Sequence, residues 1–180
     1  MRNLPNLLTL SRIVMTFPVI ILLRIDTTAA IWGSGIVFAV AALTDYFDGY
    51  LARKYDNVTR MGKFLDQLSD KILVTGIFIA LFAAGLVNFW LLIIIVFRDI
   101  LVSGIRMLSA SSGIVIPADM MGKAKTVVHF AFIAVAYFHL LFDFPSGAGM
   151  VVLQVIVGAV TVASGMNYLL RHRKTLIGGD

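Results

Sequence analysis

Long uncharged runs alternating with short basic segments are the feature that most narrows what this chain can fold into. Thr27 to Thr44 holds no charged residue over 18 positions, and as a helix that run is about 27 Å long at ~1.5 Å per residue. It nearly crosses the ~30 Å hydrocarbon core of a bilayer. Ile72 to Val87 repeats the pattern. Of the 180 residues, 59% are hydrophobic and 14% charged, with a mean hydropathy of +0.94, more apolar than a soluble core of this size requires. In lipid the backbone satisfies itself only in helices or closed barrels. The apolar runs are continuous rather than alternating, which excludes a barrel. The expectation is an all-α polytopic membrane protein, a single domain over residues 1–180, without repeats, linkers or low-complexity segments. There is no cysteine, hence neither a disulfide framework nor a thiolate metal site.

A net charge of +5 raises the question of nucleic acid, and its distribution answers no. Thirteen of the fifteen Lys and Arg fall on one side of the expected spans: Arg2, Arg12, Arg53, Lys54, Arg60, Lys63, Lys71, Arg106, Lys123, Lys125, Arg171, Arg173 and Lys174. Arg24 lies on the other side and Arg98 within the membrane. The asymmetry follows the positive-inside rule and marks the cytoplasmic face.

Six transmembrane helices are predicted, at about Leu8–Arg24, Ala29–Leu51, Gly62–Gly85, Phe89–Ala110, Gly122–Phe142 and Gly149–Leu170. Met1 to Leu10 is amphipathic and is expected to lie at the interface before the first of them. A signal peptide is the competing reading, but Arg12 and Pro18 interrupt its apolar run and no convincing cleavage site follows. Gly76, Ala80 and Ala84 recur every four residues, a spacing that suits close helix packing. His129 and His139 read as packing residues. The cluster Arg171, His172, Arg173 and Lys174 reads as a topology anchor on anionic lipid.

The exception to the apolar pattern is DYFDGYLARKYDNVTRMGKFLDQLSD, from Asp45 to Asp70. On helices, Asp45 and Asp48 share one face at i,i+3, and Asp66 and Asp70 share another at i,i+4. Gly49, Ala52 and Gly62 are small residues beside them, where a ligand or a second backbone can come close. Several carboxylates at one site repel one another unless a cation lies between them, and hard oxygen ligands favour Mg²⁺, Mn²⁺ or Ca²⁺. A solvated acidic loop between helices is the bland alternative. It fits poorly, since ionisable residues in membrane segments are functional by default.

Asp45, Asp48, Gly49, Ala52, Arg53, Gly62, Asp66 and Asp70 stand at the spacing of a known signature, and the chain resembles the CDP-alcohol phosphatidyltransferases. The resemblance implies transfer of a phosphatidyl group from CDP-diacylglycerol to an alcohol with release of CMP, dependent on Mg²⁺ or Mn²⁺. It implies Asp45, Asp48 and Asp66 as metal ligands. Asp70 is the candidate to take the proton from the attacking hydroxyl, whether or not it also touches a second metal. Asp48, Gly49, Ala52, Arg53, Gly62 and Asp66 would bind the CDP-lipid. Pro5-Asn6, Thr9 and Arg12 look like the N-terminal segment of the members that use glycerol 3-phosphate, adding Asn6 and Thr9 to that set. The implied setting is the bacterial cytoplasmic membrane, with membrane lipids as surroundings and the site facing the cytoplasm. A homodimer is compatible with this.

For the acceptor, the resemblance favours glycerol 3-phosphate, giving phosphatidylglycerophosphate. Serine, inositol phosphate and phosphatidylglycerol stay open, because the whole family shares the signature. A phosphorylated acceptor needs cations, and the candidates are Arg98, Arg106, Lys123 and Lys125. Arg98 alternatively forms a structural ion pair to a neighbouring helix. Asp99 and Arg106, seven apart, share a face, whereas Arg98 and Asp99 are expected to point apart; Asp99 stands where the family pattern has Glu. Gly122 to Thr126 reads Gly-Lys-Ala-Lys-Thr, similar to those same members at this place. It is no Walker A loop, lacking the upstream glycine and the strand, yet a helix start with two lysines suits an anion. Lys123 and Lys125 point about 200° apart on a regular helix. A cation channel or transporter also accounts for intramembrane carboxylates, but not for the small residues and Arg53 at fixed spacing.

Overall fold

The structure, a computed structural model, describes the backbone of residues 4–25, 27–54, 60–111 and 119–177, and the side chains of residues 10–25, 27–44, 68–69, 71–109 and 119–171. The described residues form six α-helices and no strand: α1 (Leu4–Ile25), α2 (Thr28–Lys54), α3 (Arg60–Ala83), α4 (Phe89–Ser111), α5 (Met120–Phe142) and α6 (Gly147–Ile177). They fall into two compact units, Met1–Gly85 with Leu140–Phe142, and Leu86–His139 with Asp143–Asp180.

Local chemistry accounts for the helix ends. Thr27 caps α2, its Oγ1 accepting the Ala30 N–H at 3.3 Å, and Asn88 Oδ1 accepts the Trp90 N–H at 2.8 Å where α4 begins. Both satisfy donors that a helix start leaves open. After α3 the chain turns at Gly85, whose φ of 78° suits a residue without Cβ. The first helix, expected from about Leu8, begins at Leu4, so residues 4–10 of the stretch expected at the interface are continuous with it in α1. Leu4, Leu7, Leu8 and the apolar run beyond follow one helical periodicity, so nothing breaks the chain between them. Pro18 stands inside α1, removing a single backbone donor.

In the first unit α1 packs against both α2 and α3. Val19 and Leu23 of α1, Ile31 and Phe38 of α2, and Leu73, Ile77 and Leu81 of α3 are buried. The Ser34 hydroxyl donates to the Val19 carbonyl at 2.8 Å, fastening α2 to α1. Gly76 lets α3 approach α1 closely, since a Cβ there would stand 2.9 Å from Thr16 Cγ2. Ala80 is buried as well. Ala84 is not part of this stripe: α3 has ended at Ala83 and Ala84 is exposed.

In the second unit α4 packs on α6 through Val102, Ile105 and Tyr168, flanked by Leu101 and Leu169. The buried face of α5 is Lys125, His129, Phe132, Ile133, Ala136 and Tyr137, one stripe at helical spacing.

The outward faces are also apolar. Val14, Phe17 and Ile21 on α1, Trp32 and Ile36 on α2, Phe97 and Ile100 on α4, and Val151 and Val155 on α6 are all exposed. Faces of this kind associate in water and are solvated by lipid. Two helices, over Met120–Phe142 and Gly147–Arg171, are long and apolar enough among the described residues to cross a bilayer. Among the described residues every element is a helix, and apolar outward faces of this kind are those of a membrane protein.

Candidate active site

The C-terminal half of α2 carries Asp45, Asp48, Gly49, Ala52 and Arg53, and the first half of α3 carries Gly62, Asp66 and Asp70. Both stretches are helical, so Asp45 and Asp48 have i,i+3 register and Asp66 and Asp70 have i,i+4 register, the geometry that puts each pair on one face. Asn6 and Thr9 lie on α1. The side chains of all these residues lie outside the described residues, as does the α2–α3 connection at 55–59.

What is described beside the acidic stretch is a buried cation. Arg12 of α1 is completely buried, and its Nη1 donates to Ser69 Oγ of α3 at 2.8 Å. Ser69 is likewise buried, and on α3 it directly precedes Asp70 and follows Asp66 by one turn. The Thr16 hydroxyl donates to the Arg12 carbonyl at 3.0 Å. A guanidinium removed from water requires anionic or accepting neighbours, and this segment of α3 is the acidic one. The sequence places Arg12 among the cytoplasmic cations and in the N-terminal segment that resembles the glycerol 3-phosphate members, and it gives Ser69 no role. The signal available was an arginine inside an apolar helix.

Four carboxylates in two helical pairs could offer hard oxygens, the donor chemistry that suits Mg²⁺ or Mn²⁺. Among the residues whose side chains are described, no group of three His, Asp or Glu could hold a metal.

The α4–α6 unit holds a second polar assembly. Asp99 is buried and accepts from Lys125 Nζ at 2.7 and 2.9 Å and from Arg98 Nη1 at 3.1 Å. Arg98 Nη2 donates to Ser164 Oγ of α6 at 2.7 Å. Gly165 makes room for that arm: a Cβ there would stand 3.1 Å from Arg98 Cγ. The expectation that Arg98 and Asp99 point apart is corrected. The guanidinium is long enough to curl back onto its chain neighbour once Ser164 anchors its far nitrogen.

Two of the four candidate acceptor cations, Arg98 and Lys125, therefore meet on Asp99. Arg106 is elsewhere, its guanidinium over the Tyr168 ring with 5.5 Å to the centroid, a cation–π contact. Lys123 is exposed while Lys125 is buried, because α5 is regular from Met120 and sets them on opposite sides. His129 is a packing residue with one polar tie, Nε2 to Thr161 Oγ1 at 2.9 Å. Thr161 already donates to the Val157 carbonyl, so His129 is the donor to it. His139 Nδ1 lies 2.7 Å from the Pro145 carbonyl. Asp119 accepts from Asn167 Nδ2 and from Arg171 Nη1 at 3.2 Å, tying the start of α5 to α6. The side chains of His172, Arg173 and Lys174 lie outside the described residues.

A family model described as CDP-alcohol phosphatidyltransferase matches residues 2–166. The chain is 35% identical over 194 residues to the CDP-diacylglycerol–glycerol-3-phosphate 3-phosphatidyltransferase of Bacillus subtilis, with 98% of each chain covered. It is 36% identical over 176 residues to the protein of the same name in Rickettsia typhi, covering 93% of this chain and 96% of that one.

Proposed function

This chain belongs to the CDP-alcohol phosphatidyltransferase family, and we propose that it transfers a phosphatidyl group from CDP-diacylglycerol to glycerol 3-phosphate, giving phosphatidylglycerophosphate and CMP. The observation that carries this reading is the helical register of Asp45 and Asp48 on α2 and of Asp66 and Asp70 on α3. It is supported by relatives of nearly equal length whose names state that reaction.

Asp45, Asp48 and Asp66, with Asp70 beside them, would hold Mg²⁺ or Mn²⁺. A cation bound there neutralises the donor's pyrophosphate and polarises the phosphorus under attack. Asp70 takes the proton of the attacking hydroxyl. The hydroxyl oxygen then bonds to the phosphatidyl phosphorus, the bond from that phosphorus to the bridging oxygen breaks, and CMP leaves with the electron pair. Gly49, Ala52 and Gly62 keep bulk away from cytidine and its phosphates, and Asn6, Thr9 and Arg53 bind the CDP-lipid. Arg106 and Lys123 supply the positive charge for the acceptor phosphate, Arg98 and Lys125 being engaged on Asp99.

The test is CMP release by the purified protein against a panel of acceptors. Glycerol 3-phosphate is expected to be used in preference to serine, inositol phosphate and phosphatidylglycerol. Charge-assisted hydrogen bonds contribute about 1.5 to 3 kcal/mol, so Arg106→Ala should raise the KM for glycerol 3-phosphate by one to two decades and leave that for CDP-diacylglycerol nearly unchanged. Preference for serine would overturn the acceptor and leave the family standing.

We further propose six spans in the bacterial cytoplasmic membrane, both termini and the acidic site facing the cytoplasm, with a homodimer as the assembly. The chain has no cysteine, so single cysteines report topology directly. Those at residues 57, 112 and 175 should label from the cytoplasmic side, and Asn88→Cys and Ser146→Cys from the other. Labelling of residue 57 from outside would sink both the topology and the location of the site.

A further inference from the structure

Between α4 and α6 runs a groove of about 660 Å³, walled by Leu91 and Ile94 on one side and by Val155, Gly158, Val162 and Ala163 on the other. That volume is in the range of ligand pockets, about 300–1,000 Å³. Two polar ties between these helices bracket it. At one end the Asn88 N–H donates to Gln154 Oε1 at 2.7 Å; at the other, Arg98 Nη2 donates to Ser164 Oγ. Asn88 and Arg98 are ten residues apart along α4, a rise of about 15 Å. Half of a ~30 Å hydrocarbon core is also about 15 Å, so the groove is one leaflet deep.

Its Asn88 end has the character of a membrane interface. Phe89 and Trp90 are adjacent and exposed there, Trp90 to 70%, as aromatic residues at the headgroup level are. Asn88 Oδ1 and Gln154 Oε1 both accept backbone N–H groups, which fixes the orientation of the two amides. Their NH₂ groups donate no hydrogen bond among the described residues. Apolar walls with two amide donors at the mouth, and no charged residue in the lining, suit an amphiphile with oxygen acceptors at one end.

We propose that this groove binds one acyl chain of a phospholipid, whose ester or phosphate oxygens accept from the side-chain amides of Asn88 and Gln154. The proposal rests on the membrane-spanning reading of this unit and not on the reaction. On the six-span topology the lipid belongs to the leaflet opposite the acidic site, and so is neither donor nor product. A second copy of the chain is the weaker occupant. A two-fold axis through the groove would set concavity against concavity, and packed interfaces do not tolerate the void that leaves.

The test is native mass spectrometry of the full chain in mild detergent, titrated with phosphatidylethanolamine, a lipid the reaction does not use. One bound lipid per chain is expected to survive delipidation. Gly158→Leu and Ala163→Phe, which fill the groove, should weaken its retention at least tenfold. At Gly158 the new Cβ meets Leu91 Cδ1 at an unstrained 3.6 Å. Val152→Phe, exposed and outside the lining, should leave retention unchanged. Gln154→Ala adds no bulk and should weaken binding about threefold to tenfold, the equivalent of one hydrogen bond; it decides the matter if a filled variant fails to fold. CMP release monitors folding throughout. Undiminished lipid retention in the filled variants and in Gln154→Ala overturns the proposal. So does a shift from dimer to monomer on filling the groove, which would mark a contact between copies.

Discussion

Within the α4–α6 unit, Asp99 is met by two cations, Lys125 at 2.7 Å and Arg98 at 3.1 Å, and Arg98 is in turn bonded to Ser164. Within the α1–α3 unit, the completely buried Arg12 donates to a neutral hydroxyl, Ser69, on the helix segment that also carries Asp66 and Asp70. The first arrangement closes on itself: each charge is answered by another residue of the same unit, and the bonds cross from α4 to α5 and α6. The second concentrates carboxylates in register at the ends of two helices. Ionised carboxylates gathered at one site repel one another, and a divalent cation between them would relieve that repulsion. The Asp99 cluster ties its helices together with charges that the unit itself supplies, while the register of the carboxylates on α2 and α3 is the feature on which the proposed chemistry rests.

Substitutions break this comparison most sharply at the carboxylates. Asp45→Ala, Asp48→Ala and Asp66→Ala should reduce CMP release to background, and Asp70→Ala should lower it by about 10² to 10⁴, the usual contribution of a positioned base. Each variant should still insert in the membrane. Relief of repulsion should leave the melting temperature of the metal-free protein equal or higher. Full activity of Asp48→Ala with saturating Mg²⁺ or Mn²⁺ would end the metal-site reading.

Asp99→Ala should do the reverse, acting first on stability. Removing one partner of a buried ion pair costs about 3 to 5 kcal/mol, because the remaining cation stays buried. Thermal unfolding in detergent should show that loss, and Lys125→Met in the same chain should recover part of it. A double variant no more stable than Asp99→Ala alone would contradict a self-closed network.

The smallest expected effect is at Gly76. Gly76→Val forces α3 away from Thr16 and Ile20, an overpacking worth about 1 to 3 kcal/mol. By shifting the segment that carries Asp66 and Asp70 it should also lower turnover. Unchanged unfolding temperature and turnover would show that α1 and α3 have slack at this point.

The helices were legible because apolar run length and the punctuation between runs are local properties. Phe89 to Ala110 was expected for α4 and Phe89–Ser111 is found; Asn88 and Gly85 mark the turn before it by their own chemistry. The acidic stretch was legible for a related reason, since spacing along a helix decides which carboxylates share a face. Extrapolation failed where a local cap intervened. Ala84 continued the small-residue stripe on paper, yet Gly85 had already ended α3.

By itself the sequence determined that the chain is a set of apolar helices, that its carboxylates pair in register at the ends of α2 and α3, and that Lys123 and Lys125 diverge on α5. Each of these follows from the 3.6-residue period and the hydropathy of neighbours a few positions apart. Only the tertiary structure decided that Lys125 and Arg98 share Asp99, that Arg98 reaches Ser164 at a separation of 66 residues, that Arg12 is buried against Ser69 at a separation of 57, and that α4 and α6 part to leave a groove. Those outcomes depend on which helix lies beside which and at what height. Helix association in lipid is governed by close packing and by interhelical hydrogen bonds rather than by hydrophobicity, and neither is written in the period of any single helix.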